Sequence, residues 1–156
     1  MKKNLIMTGW LAIILSGALG SAAFARMNFD PVDGDDPNWI EGRKAVEVQD
    51  WPRAVSLLTM AAATDPGNPD IHNSLGYAQR KSGNLTAAFA AYNEALRLNP
   101  AYKQAHEYIG EAYLLTGDVA NAEEHLAALG LLCTPTPCEE YKDLRRAVED
   151  YKNKRR

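Results

Sequence analysis

The chain has 156 residues, 46 % hydrophobic and 24 % charged, with a formal net charge of −3 at pH 7. That composition excludes a collagen-like or wholly disordered chain. It also averages two unlike parts, because the first 25 residues carry Lys2 and Lys3 and no acidic residue. Met1-Lys2-Lys3, an apolar run from Leu5 to Leu19 and the ending Ala23-Phe24-Ala25 read as a secretory signal peptide, residues 1–25, cleaved after Ala25. The run is shorter than the roughly 20 apolar residues a membrane span needs, and no Cys follows it for lipid attachment. The remaining 131 residues hold 15 Lys+Arg against 20 Asp+Glu, a net charge of −5. An acidic chain of this kind does not suit nucleic acid or an anionic membrane surface. The expected location is a bacterial periplasm, with no membrane contact after cleavage.

Residues 26–34, with Asp30, Pro31 and Asp33, lack helical periodicity and read as a flexible acidic lead-in. From residue 35 a 34-residue period begins. Leu75-Gly76 returns as Ile109-Gly110, His72 as His106, Gly83-Asn84 as Gly117-Asp118 and Ala88 as Ala122. One period earlier stand Gly42, Ala54, Ala61 and Pro66, so the units are 35–68, 69–102 and 103–136. Within a unit the apolar residues fall on two helical stripes, as in Leu75 and Ala78 and then Leu85, Ala88, Phe89, Tyr92, Ala95 and Leu96. The stripes are parted at Gly83-Asn84, where Gly ends one helix and Asn caps the next. Asn68-Pro69 opens the second unit with a cap and a proline at the first helical place. Each unit is thus an antiparallel helix pair that must stack on its neighbours to bury its apolar side. Gly76 and Gly110, with Ala88 and Ala122, are expected to let the helices of a pair approach closely, while Leu58, Tyr92 and Leu126 fill the space between pairs.

Residues 137–156 read as a capping helix and basic tail. Tyr141, Leu144, Val148 and Tyr151 form its apolar stripe. Thr136, Pro137 and Glu139 have the spacing of a capping box. Cys133 and Cys138 flank this junction, and in an exported chain with two cysteines a disulfide is the leading expectation. The alternative is a redox or Cu(I)-handling pair, although the spacing is not Cys-x-x-Cys and no His follows Cys138.

These residues resemble the tetratricopeptide repeat family. The second unit supplies Leu75-Gly76, Ala88, Tyr92, Ala95 and Pro100 where that family has leucine-glycine, alanine, an aromatic, alanine and proline. The resemblance implies an all-α, right-handed α-solenoid of three helix pairs plus the C-terminal capping helix. It also implies a concave groove lined by the fifth and ninth places of each unit: Trp39 and Arg43, Asn73 and Tyr77, Glu107 and Glu111. Tyr108, Arg80 and Gln104 are expected to flank them. Members that bind a free carboxylate carry a Lys/Asn/Arg set, whereas Glu107 and Glu111 occupy groove places here, so the expected partner is a neutral or basic protein or extended peptide.

Catalysis has no support among these residues. The chain holds no Gly-x-Ser-x-Gly, no His-Glu-x-x-His and no Gly-rich phosphate loop. Glu107 and Glu111 share a helix face, but no nucleophile accompanies them. His72 and His106 are expected about 10 Å apart, one stacking distance, which is too far to share a metal. The reading is a non-catalytic adaptor without cofactor or metal, with self-association through the ends of the array as a further possibility.

Overall fold

The computed structural model describes residues 36–155; the expected signal peptide and lead-in lie outside them. The described residues form seven helices: α1 Pro37–Glu47, α2 Trp51–Thr64, α3 Pro69–Lys81, α4 Leu85–Leu98, α5 Lys103–Thr116, α6 Val119–Leu132 and α7 Glu139–Asn153. Local chemistry sets most boundaries. The side chains of Asp36, Asp50, Asn68, Asn84 and Asp118 each accept a backbone N–H of the first turn, satisfying a donor the helix itself leaves open. Gly83 and Gly117 adopt φ of 82° and 83° at the turns between the helices of pairs two and three.

Each helix packs on its neighbour in the chain, and the first helices of successive pairs touch, α1 with α3, α3 with α5 and α5 with α7. The result is an all-α solenoid of three helix pairs plus a capping helix. Its core is three apolar clusters strung along the array. Ala54, Leu58, Ala61 and Ile71 lie in the first, Ala88, Tyr92, Ile109 and Ala112 in the second, and Leu129, Cys133, Leu144 and Val148 in the third.

The glycines carry the close approaches, with a different set of partners from those expected. A Cβ on Gly42 would stand 2.8 Å from Leu58, and one on Gly76 2.6 Å from Tyr92. Leu58 and Tyr92 therefore seat in the glycine notch of their own pair and also join the core of the next, Leu58 with Ile71 and Tyr92 with Ile109 and Ala112. In the third unit the notch of Gly110 receives Leu144 of α7, where a Cβ would lie 2.6 Å away. Leu126, at the place of Tyr92, is only half-buried.

The expected capping box does not form. Pro137 lies outside the helix, α7 starts at Glu139, and its N-cap residue Cys138 makes no side-chain cap bond. The Sγ atoms of Cys133 and Cys138 lie 2.01 Å apart and their Cα atoms 5.4 Å apart. No helix among the described residues is long and apolar enough to cross a membrane.

Candidate functional site

The first helices of the three pairs line a cavity of about 290 Å³, bounded by Arg43, Val46 and Glu47 of α1, Asn73, Ser74 and Tyr77 of α3, and Gln104 and Tyr108 of α5. Of the residues expected in the groove, Arg43, Asn73 and Tyr77 meet there, joined by Tyr108 and Gln104 of the expected flanks. Trp39 does not: it is buried in the first core cluster, with the Arg43 guanidinium over its ring at 5.4 Å. Glu107 and Glu111 also lie outside the cavity lining. Val46 and Glu47 were not expected, although they stand one period before Arg80 and Lys81 and the same repeat arithmetic reaches them.

The cavity wall is built from aromatic and amide groups in fixed polarity. Asn73 is the one buried polar residue among those described, only 2 % exposed. Its Nδ2 donates to Gln104 Oε1 at 3.0 Å, and Gln104 Nε2 donates to the Tyr108 hydroxyl oxygen at 3.1 Å. That chain of donors leaves Asn73 Oδ1 as a buried acceptor without a partner and leaves the Tyr108 hydroxyl hydrogen free to donate. The rings of Tyr77 and Tyr108 lie 5.0 Å apart, and Trp51 meets Tyr77 edge-on at 6.0 Å.

Arg80 is the charge that holds this wall. Its guanidinium lies 5.3 Å from the Tyr77 ring and 5.5 Å from the Tyr108 ring, and it pairs with Glu111 at 2.7 Å. Burial works against its charge, while Tyr92 and Glu111 outweigh that effect and raise its pKa. Glu111 is thereby neutralised within the protein and contributes less to the groove's charge than its position suggested. Glu107 has no such partner. Burial first, then the nearby carboxylates of Glu111, Asp143 and Glu140, push its pKa up to about 7.

The histidines take two kinds of contact. His72 Nε2 bonds the Pro66 carbonyl at 2.9 Å and His106 Nε2 the Pro100 carbonyl at 3.0 Å, the same contact one period apart. His106 Nδ1 also meets His125 Nδ1 at 2.9 Å. The repeat pattern does not signal this pair, because the residue one period before His125 is Ala91. Burial first, then His106, lowers the His125 pKa to about 4. Among the described residues no group of three or more His, Cys, Asp or Glu gathers to hold a metal.

Known proteins share this architecture. The chain is 32 % identical over 93 residues to the TPR repeat-containing thioredoxin TTL4 of Arabidopsis thaliana, covering 60 % of this chain and 13 % of that protein. It thus spans well under a fifth of the length of the curated relatives it matches. The type III secretion chaperone SycD of Yersinia enterocolitica, solved with a peptide of the translocator YopD, superposes with a TM-score of 0.66 at 17 % identity, over 76 % of this chain and 92 % of that one. The TPR2B domain of yeast Sti1, solved in a pHsp70 complex, does so with a TM-score of 0.69 at 20 % identity, over 75 % and 94 %. The tetratricopeptide repeat family model matches residues 41–103 and 90–130. A model match over most of the described helices, on a fold of stacked helix pairs with its glycine notches in register, places the chain in the tetratricopeptide repeat family.

Proposed function

We propose that this protein is a non-catalytic adaptor that holds an extended, neutral or basic protein segment in the groove lined by α1, α3 and α5, in the periplasm after removal of residues 1–25. One observation carries the reading: Arg43, Asn73, Tyr77, Gln104 and Tyr108 from three successive first helices line one cavity of about 290 Å³. The Tyr108 hydroxyl, which accepts from Gln104, is free to donate to a backbone carbonyl of the bound segment. Tyr77 and Tyr108 offer the low-entropy contact surface typical of binding hot spots. The solved complexes of SycD with a YopD peptide and of Sti1 with pHsp70 support the same use of the fold.

The groove's charge is modest. Arg43 and Glu47 offset each other within the lining, and the carboxylates of Glu140 and Asp143 lie near Glu107 outside it. The experiment is binding of the purified protein to an array of ten-residue peptides in matched basic, neutral and acidic versions. The expected result is retention of neutral and basic versions, with loss of at least tenfold in affinity for Tyr77→Ala and Asn73→Leu. Retention of acidic versions, or unchanged binding by both variants, overturns the groove reading.

The cysteine pair belongs to the scaffold in this proposal. Cys133 is buried within the third core cluster beside Leu144 and Val148, where a disulfide to Cys138 ties α7 to the end of α6. Burial in an apolar cluster disfavours an exchangeable thiol or a copper carrier.

A further inference from the structure

The third helix pair holds two histidines in an arrangement that the groove does not use. His106 on α5 and His125 on α6 aim their Nδ1 atoms at each other across 2.9 Å. The Pro100 carbonyl, 3.0 Å from His106 Nε2, can only accept, so His106 in its neutral form holds its proton on Nε2 and offers a lone pair at Nδ1. In that form the proton of the contact is carried by His125 Nδ1. The His125 ring is held in turn by stacking on Tyr113, at 5.7 Å between centroids and 19° between planes. Two rings from two helices thus face each other through their Nδ1 atoms.

The packing of the repeat does not require this. His72 makes the same proline-carbonyl contact in the second unit with Ala91 in the place opposite. The second imidazole is an addition peculiar to the third unit.

We propose that Nδ1 of His106 and Nδ1 of His125 form a two-histidine site for a late first-row divalent cation: Zn²⁺, Ni²⁺ or Cu²⁺. Imidazole nitrogen suits these ions. An ion about 2.0–2.1 Å from both nitrogens in tetrahedral geometry needs them roughly 3.3 Å apart, so the rings part by a few tenths of an ångström and each tilts by about 35° to turn its lone pair onto the ion. On binding, His125 moves its proton from Nδ1 to Nε2. Both rings stay neutral and no net proton is released. The bond from His106 Nε2 to a backbone carbonyl is the outer contact that orients metal-bound histidines generally. Both rings are half-buried, which leaves water to complete the coordination. No third protein ligand joins them among the described residues, so micromolar rather than nanomolar affinity is expected. Because the ion bridges α5 and α6, binding stabilises the pair on which α7 docks.

The test is calorimetric titration and thermal melting of untagged protein with ZnCl₂, NiCl₂ and CuCl₂. It compares the parent with His106→Gln, His125→Gln, His72→Gln and a Cys133→Ser/Cys138→Ser variant. The expected result is one ion per chain, a melting temperature that rises with metal concentration, loss of both in His106→Gln and His125→Gln, and retention of both in the other two variants. If either histidine variant fails to fold, nitrogen-15 spectra of the parent decide: metal shifts the Nδ1 signals of His106 and His125 and leaves those of His72 in place. Absence of saturable binding at millimolar metal, binding that survives His106→Gln, or unmoved Nδ1 signals overturns the proposal.

Discussion

A single residue departs from the repeat in a way that has an energetic consequence. Gln49 stands one period before Gly83 and adopts φ of 59°, the left-handed conformation that Gly83 and Gly117 hold at 82° and 83°. A side chain there costs about 1 kcal/mol relative to glycine. Gln49→Gly is expected to raise the unfolding free energy by about 0.5–1 kcal/mol, read from the urea midpoint. Glu107 contributes a pH dependence of definite sign. Its native pKa of about 7 exceeds that of an unfolded glutamate, so the unfolded chain releases this proton first and stability falls as pH rises from about 4.5 to 7. Glu107→Gln removes that loss. In buffer containing a chelator the variant should be more stable than the parent at pH 8, by about 1 kcal/mol once the screening of a half-exposed group is allowed for, with the gap closing at pH 5. Equal pH dependence of the two proteins would show that burial does not hold Glu107 protonated. Residue-level contacts that break the repeat were hardest to foresee. The sequence placed Asn73 in the groove, but its burial and the direction of its amide come from Gln104 and Tyr108, one stacking step away.

At the scale of the element, the helix starts were largely legible because capping is local. Asn68, Asn84 and Asp118 accept first-turn N–H groups as their positions imply. The start of α7 was not: Thr136, Pro137 and Glu139 have the spacing of a capping box, yet the helix begins at Glu139 with no side-chain cap. The role of α7 was also understated by its apolar stripe alone. Leu144 is fully buried, with its Cδ atoms in the notch left by Gly110. Leu144→Ala empties that notch and is expected to cost about 2–5 kcal/mol, measured by urea unfolding. A loss below 1 kcal/mol would mean that α7 is not integral to the third pair.

Across the whole molecule, stability is a sum over neighbouring pairs. The middle pair, α3 and α4, has packed neighbours on both sides through α2 and α5, whereas α1 has none before it among the described residues. Amide hydrogen exchange is expected to be slowest in α3, α4 and α5 and fastest in α1 and the last turn of α7. Uniform protection along the chain would instead indicate one indivisible cooperative unit. This one-dimensional plan explains why so much was readable in advance. The sequence by itself determined the number of helix pairs, their order, their caps and their stacking, because a 34-residue period with 3.6-residue stripes is written entirely in local spacing. Only the tertiary structure decided that Trp39 turns into the core, that Arg80 is spent on Glu111, that Leu144 fills the notch of Gly110 and that His106 meets His125. Those contacts join residues on different helices whose places do not repeat, and they depend on which helix face meets which, a matter of packing geometry rather than of spacing along the chain.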